Sequence, residues 1–311
     1  MEQKLISVAI ATFNGAQYLE EQLDSIYDQT YKNIEVIVCD DQSSDDTVDI
    51  LKRYSDEKGL KFYVNETRLG FVKNFEKVIS KCKGDYIALS DQDDIWLKQK
   101  LEILVSLIGD SLLIHSDSML INAHNEIILS NWKGNIKSHT EVDDFFFSNV
   151  VTGCTILFSR NLINLALPFP KGLQYHDWWL SICAANSGKI SYCNKSLVMY
   201  RQHGGQDTGA GEPKNKLFYI INNIYSRIAN KSYERYLASE KHLLNLNALS
   251  SNYNLSKKKR KKLTDAMTYF ENYLNNFFHP KTFFIGLKHR NNLYHKKNYF
   301  YLKNILKDII G

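Results

Sequence analysis

The stretch "ISVAIATFNGAQYLEEQLDSIYDQTYKNIEVIVCDD", residues 6–41, holds two apolar runs of strand length around a helical pattern. Ile6–Ala11 is continuously apolar apart from Ser7, as a strand covered on both faces requires. Residues 16–29 put Leu19, Leu23, Ile26 and Tyr27 at three- and four-residue spacing, which is one face of a helix. The second run, "NIEVIVCDD", ends in two carboxylates. The alternation then continues. "SSDDTVDILKRYSDE" opens with Ser/Asp caps and reads as a helix, "LKFYVN" as a strand, "FVKNFEKVISKC" as a helix and "DYIALSDQDD" as a fourth strand. Repeated β-α-β units build a parallel sheet with helices on both faces. Such sheets bind ligands beyond the carboxyl ends of their strands. Asn14, Asp40–Asp41 and Asp91–Asp94 all fall at those ends, so one crevice should collect them.

The fourth strand runs into "LSDQDDIW", residues 89–96, with three carboxylates in four positions. Like charges this close raise one another's pKa. The first strand is followed by a single glycine, with no G-x-G-x-x-G and no G-x-x-x-x-G-K-[ST], so a phosphate-bearing ligand would find no glycine cradle. Carboxylates cannot neutralise phosphate directly, but they can hold a divalent cation that does, and Mg²⁺ or Mn²⁺ prefers such oxygen ligands. The plainer reading is a solvated loop, with Asp94 capping a helix in "IWLKQKLEILVSL".

Beyond residue 110 the rhythm changes. "LLIHSDSMLIN" and "EIILSNW" read as paired strands, "TGCTILFSRNLINLAL" as strand then helix, "HDWWLSICAANSG" as a helix, and "KISYCNKSLVMYRQH" as one or two strands. Residues 204–213 are a Gly-rich connection expected to be mobile. Residues 214–311 read as helices rich in Tyr, Phe, Asn and Lys. The net charge of +5 conceals +14 in 214–311 and −9 in 1–213, which suggests two functional zones. The five cysteines form no CxxC pair, which favours reduced, buried thiols and a cytoplasmic setting. No apolar run is long enough to cross a membrane, and the start has neither a basic leader nor a cleavage site.

Taken together, "SVAIATFNGAQYLEEQLDSIYDQTYKNIEVIVCDDQSSDDT" and "GDYIALSDQDDIWLKQKLE" resemble the family-2 glycosyltransferases. These are inverting, nucleotide-sugar-dependent enzymes with the A-type glycosyltransferase fold. The resemblance covers about residues 5–205, and "SDQDDIW", "GFVKNFE" and "YRQHG" look most like the branch of bacterial rhamnosyltransferases. It implies an α/β fold, a mostly parallel sheet flanked by helices, with a C-terminal helical appendage. The catalytic domain would be 1–213, with a nucleotide-binding half of about 1–110 and an acceptor-binding half of about 111–203, followed by a basic helical region, 214–311.

The resemblance also assigns roles. Asp41 would accept a hydrogen bond from the base and Phe13 would pack on it, with Asn14, Lys73 and Asp91 completing the nucleotide site. Asp91 and Asp93 match the D-x-D motif, with Asp91 near the ribose and beside the metal, and Asp93 a ligand of Mn²⁺ or Mg²⁺. His203 would close over the metal or diphosphate. Asp94 would support the site or cap the next helix. Asp177 matches the base, which removes the acceptor hydroxyl's proton; as a residue alone it reads equally as an N-cap. Trp178 and Trp179 would stack on acceptor sugars, with at least one of them in the core, while His176 reads as a local hydrogen-bonding residue.

The implied partners are a nucleotide diphosphate sugar, dTDP-rhamnose first, and a glycan or lipid-linked glycan acceptor in bacterial surface-polysaccharide synthesis. Two other classes stay open: a sugar nucleotidyltransferase, which would want a triphosphate loop that "ATFNGAQ" lacks, and a non-catalytic glycan-binding module. "KKKRKK" at 257–262 has no interleaved aromatic residue. It reads as a solvated turn or a surface for anionic lipid rather than a nucleic-acid site. The basic, aromatic tail would hold the protein at the inner face of the plasma membrane, or pack on the catalytic domain or on a second subunit of a homodimer.

Overall fold

A computed structural model of the chain describes residues 3–132, 140–203, 239–274, 284–285 and 288–289. The expected Gly-rich connection at 204–213 and most of the aromatic tail lie outside the described residues.

The first half is built as its periodicity predicts. β1 (Ile6–Thr12), β2 (Ile34–Asp40), β3 (Lys61–Val64) and β4 (Tyr86–Ser90) alternate with α1 (Ala16–Tyr27), α2 (Thr47–Lys58) and α3 (Phe71–Lys81). All four strands run parallel in the order β3-β2-β1-β4. β4 and all but one residue of β1 are buried, whereas β3 at the sheet edge is largely exposed, which explains why its pattern is the least apolar. Each helix turns its apolar stripe inward: Leu19, Leu23 and Ile26 of α1 and Phe75, Val78 and Ile79 of α3 are buried.

The sheet continues as β8 (Ile156–Ser159), β6 (Leu113–Ile121), β9 (Ile190–Arg201) and the two-residue β5 (Ile95–Trp96). β8 runs antiparallel to both β4 and β6, β9 is parallel to β6, and β7 (Ile127–Leu129) hangs antiparallel on β6. α4 (Lys100–Ile108), α5 (Asn161–Ala166) and α6 (His176–Ser187) complete this part. The sheet is thus mostly parallel and flanked by helices. "KISYCNKSLVMYR" is one strand rather than two. β9 slips its register against β6 between Ser116 and Ser118, which lets a 12-residue strand keep pairing past the irregular stretch. Asp94 does not cap α4: the helix starts six residues later, its N-cap is Gln99, and Ile95–Trp96 pairs with β9 instead. All five cysteines are free and buried.

The chain divides into two compact units. The first draws on Met1–Thr140, Val150–Phe169 and His176–Gly211, and it contains the sheet. The second draws on Glu141–Asn149, Pro170–Tyr175 and Glu212–Gly311, so two short segments before residue 213 belong with the tail. In this second unit a helix running through 239–252 (α7) and α8 (Lys257–Leu274) bury Leu246, Leu249, Leu263, Ala266 and Phe270. The 141–149 segment supplies Phe145 and Phe146, both fully buried. Phe147 meets Tyr269 edge-on at 6.3 Å, and a ring nitrogen of His242 lies 2.9 Å from the Phe146 carbonyl. The aromatic residues described here therefore pack into a small core. The run "KKKRKK" is not a turn but the start of α8.

Candidate functional site

The crevice forms where β1, β2 and β4 end, from three loops that hold one another. Asn14 has φ 48, a left-handed conformation that Asn tolerates better than most residues. Its backbone N–H donates to Ser43 Oγ at 2.8 Å, and its side-chain oxygen accepts from the Ser44 N–H at 2.8 Å. Asn14 is thus a staple between the first two loops. Phe13 is held on both backbone groups by one side chain: its N–H donates to Gln92 Oε1 at 2.9 Å, and Gln92 Nε2 donates to its carbonyl at 3.0 Å. A Cβ at Gly15 would stand 2.2 Å from Gln92 Oε1, so only glycine admits this clasp. The Phe13 ring carries the Arg68 guanidinium 3.7 Å from its centroid.

Asp41 is buried and accepts three hydrogen bonds: Asn65 Nδ2 at 2.7 Å, Leu69 N–H at 2.7 Å and Gly70 N–H at 2.8 Å. It shapes the 65–70 loop that carries Arg68. Asn74 donates to the Cys39 carbonyl at 2.8 Å and so ties α3 to the same strand end. Lys73 lies on a different face of α3, paired with Glu76 at 2.5 Å and reaching the Phe169 carbonyl at 3.3 Å. It lines a groove of about 530 Å³ with Leu69, Lys77, Ser80, Leu167 and Pro168. The structure does not bring Lys73 to the Asn74 face that meets the strand ends.

The acidic loop is fixed from beneath. Arg201, the last residue of β9, is fully buried. Its Nε donates to the Asp93 carbonyl at 2.7 Å, its backbone N–H to Asp94 Oδ1 at 3.1 Å, and its NH2 to Glu21 Oε2 at 2.7 Å, while NH1 binds Asn125. The Tyr18 ring covers it at 4.5 Å. Two residues on, His203 Nε2 lies 2.8 Å from Asp93 Oδ2, and its ring packs on Tyr18 at 4.9 Å. Asp177 sits inside the first turn of α6 rather than before it, with Trp178 N–H donating to its Oδ1 at 2.6 Å.

Burial first, then the charges of Asp93 and Asp177, push Asp91 above the usual carboxylate range, against the pull of Lys100. The three carboxylates therefore share one electrostatic environment. Burial, again with Asp93 and Asp91, pushes Asp94 well up.

Two expectations need correcting. Trp178 and Trp179 are both buried, at 0% and 3% exposure, and Trp179 donates to the Ala166 carbonyl at 2.9 Å. Neither offers a ring face to a sugar, because α6 is covered nearly all round. Among the described residues His176 makes no side-chain hydrogen bond: both ring nitrogens are buried without a partner there, and the ring stacks on Phe75 at 4.0 Å. Burial drags its pKa down to about 3, so it is neutral.

Sequence patterns do not single out Arg68, Arg201, Gln92 or Lys100 as site residues. Arg201 has a signal, since "YRQHG" places it two residues before His203. Lys100 has only a weak one, a single Lys on the apolar face of its helix.

The residues could hold a divalent ion in one place and not in another. Oxygens of Asp91 and Asp94 and the sulfur of Cys154 lie within 4.8 Å of one another. Burial pushes the Cys154 thiol well up, however, so it is no thiolate, and the Lys100 amine is bonded to that same residue's carbonyl. That set does not suit Mg²⁺ or Mn²⁺. Asp93 and His203 adjoin each other, with Nε2 2.8 Å from Oδ2, and this carboxylate–imidazole pair beside the acidic loop could hold a divalent ion.

Fold and site together define an α/β protein with a carboxylate-rich crevice at the ends of its parallel strands. The Glycosyl transferase family 2 model matches residues 7–156. An uncharacterized glycosyltransferase of Methanocaldococcus jannaschii is 30% identical over 210 residues, 65% of this chain and 72% of that one. The chain belongs to glycosyltransferase family 2 and is a glycosyltransferase. Escherichia coli WfgD, described as a UDP-Glc:alpha-D-GlcNAc-diphosphoundecaprenol beta-1,3-glucosyltransferase, is 26% identical over 254 residues, 75% of this chain and 98% of that one. Shigella flexneri RfbG, described as a dTDP-rhamnosyl transferase, is 28% identical over 236 residues, 70% of this chain and 81% of that one. Among solved structures, S. aureus TarS 1–349 with UDP-GlcNAc superposes with TM-score 0.56 at 17% identity, covering 93% of this chain and 89% of that one. Mannosyltransferase PcManGT from Pyrobaculum calidifontis, with GDP-Man and Mn²⁺, gives 0.58 at 16%, covering 98% and 79%. These two likenesses bear on the A-type fold alone.

Proposed function

We propose that this chain transfers a sugar, with inversion, from a nucleotide diphosphate sugar to a hydroxyl of a glycan or lipid-linked glycan. The observation that supports this is that Asp177, in the first turn of α6, lies near enough to Asp91 for its charge to push that carboxyl up, as Asp93 does from the acidic loop. Asp93, Asp91 and His203 would hold the metal, which as a Lewis acid stabilises the departing diphosphate when bound. Asp177 takes the proton of the acceptor hydroxyl at its carboxylate, from the first turn of α6, where a helix N-terminus favours negative charge. Phe13 and Arg68 offer a ring and a guanidinium face to the base, and Asp41 holds the loop that presents Arg68.

Likeness to RfbG supports dTDP-rhamnose as the first donor to try, and likeness to WfgD supports UDP-glucose and a lipid-diphosphate acceptor. The setting is the inner face of a bacterial plasma membrane. No helix among the described residues is long and apolar enough to cross one, and the exposed basic start of α8 would supply the attraction.

Asp177→Asn keeps the shape and removes the proton acceptor. Transfer is expected to fall by at least ~10²-fold, the scale of a general base, with donor affinity retained. Near-normal turnover would make Asp177 a structural residue.

A further inference from the structure

Lys100 opens α4 and is fully buried, and none of the chemistry above uses it. Its Nζ donates to the Cys154 carbonyl at 2.6 Å and lies 3.1 Å from the centroid of the Trp96 ring. A buried amine is expensive to keep unless its partners are fixed around it. Burial lowers its pKa to about 7, with Cys154, Asp94 and Asp91 opposing the fall. On one side Lys100 lies over Trp96, two residues past Asp94, and the Asp91 and Asp94 oxygens lie within 4.8 Å of the Cys154 sulfur. On the other it holds Cys154, the middle residue of the 3₁₀ turn Gly153–Thr155.

That turn touches the helix bearing Asp177. A Cβ added at Gly153 would stand 3.0 Å from His176 Nε2 and 3.8 Å from Asp177 Cβ. His176 cannot retreat easily, because its ring stacks on Phe75 at 4.0 Å and meets Phe71 edge-on at 6.1 Å. The contacts thus run from Trp96, just past the acidic loop, through Lys100, the Cys154 carbonyl and Gly153 to His176 and Asp177. The Lys100–Cys154 link is a buried hydrogen bond and the others are close packing contacts, so a shift at one end is felt at the other.

We propose that Lys100 is a positioning residue that sets, through the 153–155 turn, the separation between the acidic loop and the Asp177 carboxylate. This rests on Asp177 acting as the base. The reacting groups of donor and acceptor are brought by those two elements, and misplacement by about 1 Å costs on the order of 10²-fold in rate.

Lys100→Met preserves length and volume but removes the donor and the charge. Its kcat is expected to fall about tenfold to a hundredfold, with donor KM and nucleoside diphosphate affinity unchanged. Gly153→Ala should do the same from the other side of the turn. The deciding experiment is a double-mutant cycle of Lys100→Met with Asp177→Asn, read as kcat of transfer and as calorimetric affinity for the nucleoside diphosphate with Mn²⁺. If Lys100 acts by placing Asp177, it adds almost nothing once Asp177 is already disabled. Multiplicative losses, a parallel loss of nucleotide affinity, or wild-type turnover in Lys100→Met would overturn the inference while leaving the base assignment intact. Normal turnover in Asp177→Asn alone would refute both. Should Lys100→Met fail to fold, the cycle of Gly153→Ala with Asp177→Asn separates the same outcomes.

Discussion

His176 makes the acid stability of the first unit calculable. Its ring nitrogens have no partner among the described residues, and burial lowers its pKa from about 6.5 to about 3. A histidine held neutral by the fold takes no proton until the pH approaches 3, whereas in the unfolded chain it is protonated below about 6.5. The unfolded state therefore binds more protons between those values, so stability is intact above about pH 6.5 and is lost as the pH falls toward 3. At pH 5 the unfolded chain gains RT ln(1 + 10^1.5), about 2 kcal/mol, relative to pH 7.5. His176→Leu, of similar volume, lacks this term. Urea unfolding followed by tryptophan fluorescence reads it cleanly, since Trp96, Trp132, Trp178 and Trp179 are all the tryptophans and all lie in the first unit. His242, also buried with its pKa lowered to about 4, belongs to the second unit and is common to both proteins. Between pH 7.5 and 5 the wild type should lose about 2 kcal/mol more than His176→Leu, whatever the variant's starting stability. Equal losses would mean that His176 is hydrated or paired, and the packing against Phe75 and Gly153 would have to be redrawn.

Other expectations follow from single contacts. Asp93→Ala should lose both transfer and the Mn²⁺-dependent part of nucleoside diphosphate binding by calorimetry while its melting temperature is kept; unchanged Mn²⁺ dependence would remove Asp93 from the metal set. Arg201→Met breaks charged hydrogen bonds to Asp93, Glu21 and Asn125, and should cost about 3 kcal/mol in chemical denaturation. Arg68→Ala should weaken nucleotide binding about tenfold, the scale of a cation–π contact, and leave kcat at saturation alone. The full chain should sediment with anionic but not neutral vesicles and release as salt rises. Replacing Lys257, Lys258, Arg260 and Lys261 by Gln should reduce that binding, at roughly 1 kcal/mol per charge; indifference to lipid charge would contradict a membrane role.

Much of the first half was legible because periodicity and burial coincide there: Ile6–Ala11 and Leu19, Leu23 and Ile26 show their faces plainly. Asp41, Asp91 and Asp93 were placed at strand ends by topology alone. Sequence could not show that Asp41 spends its carboxylate on the backbone of Leu69 and Gly70, since that needs the loop's path. Trp178 and Trp179 read as residues that could stack on sugars, with at least one of them in the core. Here α6 is buried nearly all round, so both enter the core. Lys100 was hidden for the opposite reason, as a charged residue on an apolar stripe that reads as surface until its partners at Cys154 and Trp96 are seen. The second unit's use of 141–149 and 170–175 leaves no local signal, because it depends on long-range packing.

The central claim is a metal-dependent glycosyl transfer at the Asp91–Asp93–Asp177 crevice. Its most direct test is a panel of nucleotide diphosphate sugars, including dTDP-rhamnose and UDP-glucose, incubated with the full chain and a lipid-diphosphate glycan. Each is run with Mn²⁺, with Mg²⁺ and with chelator, scoring nucleoside diphosphate release and sugar incorporation together. The account predicts one preferred donor, turned over with either metal and silent with chelator, giving a product of inverted anomeric configuration. Turnover that ignores the chelator, or a product of retained configuration, would contradict it.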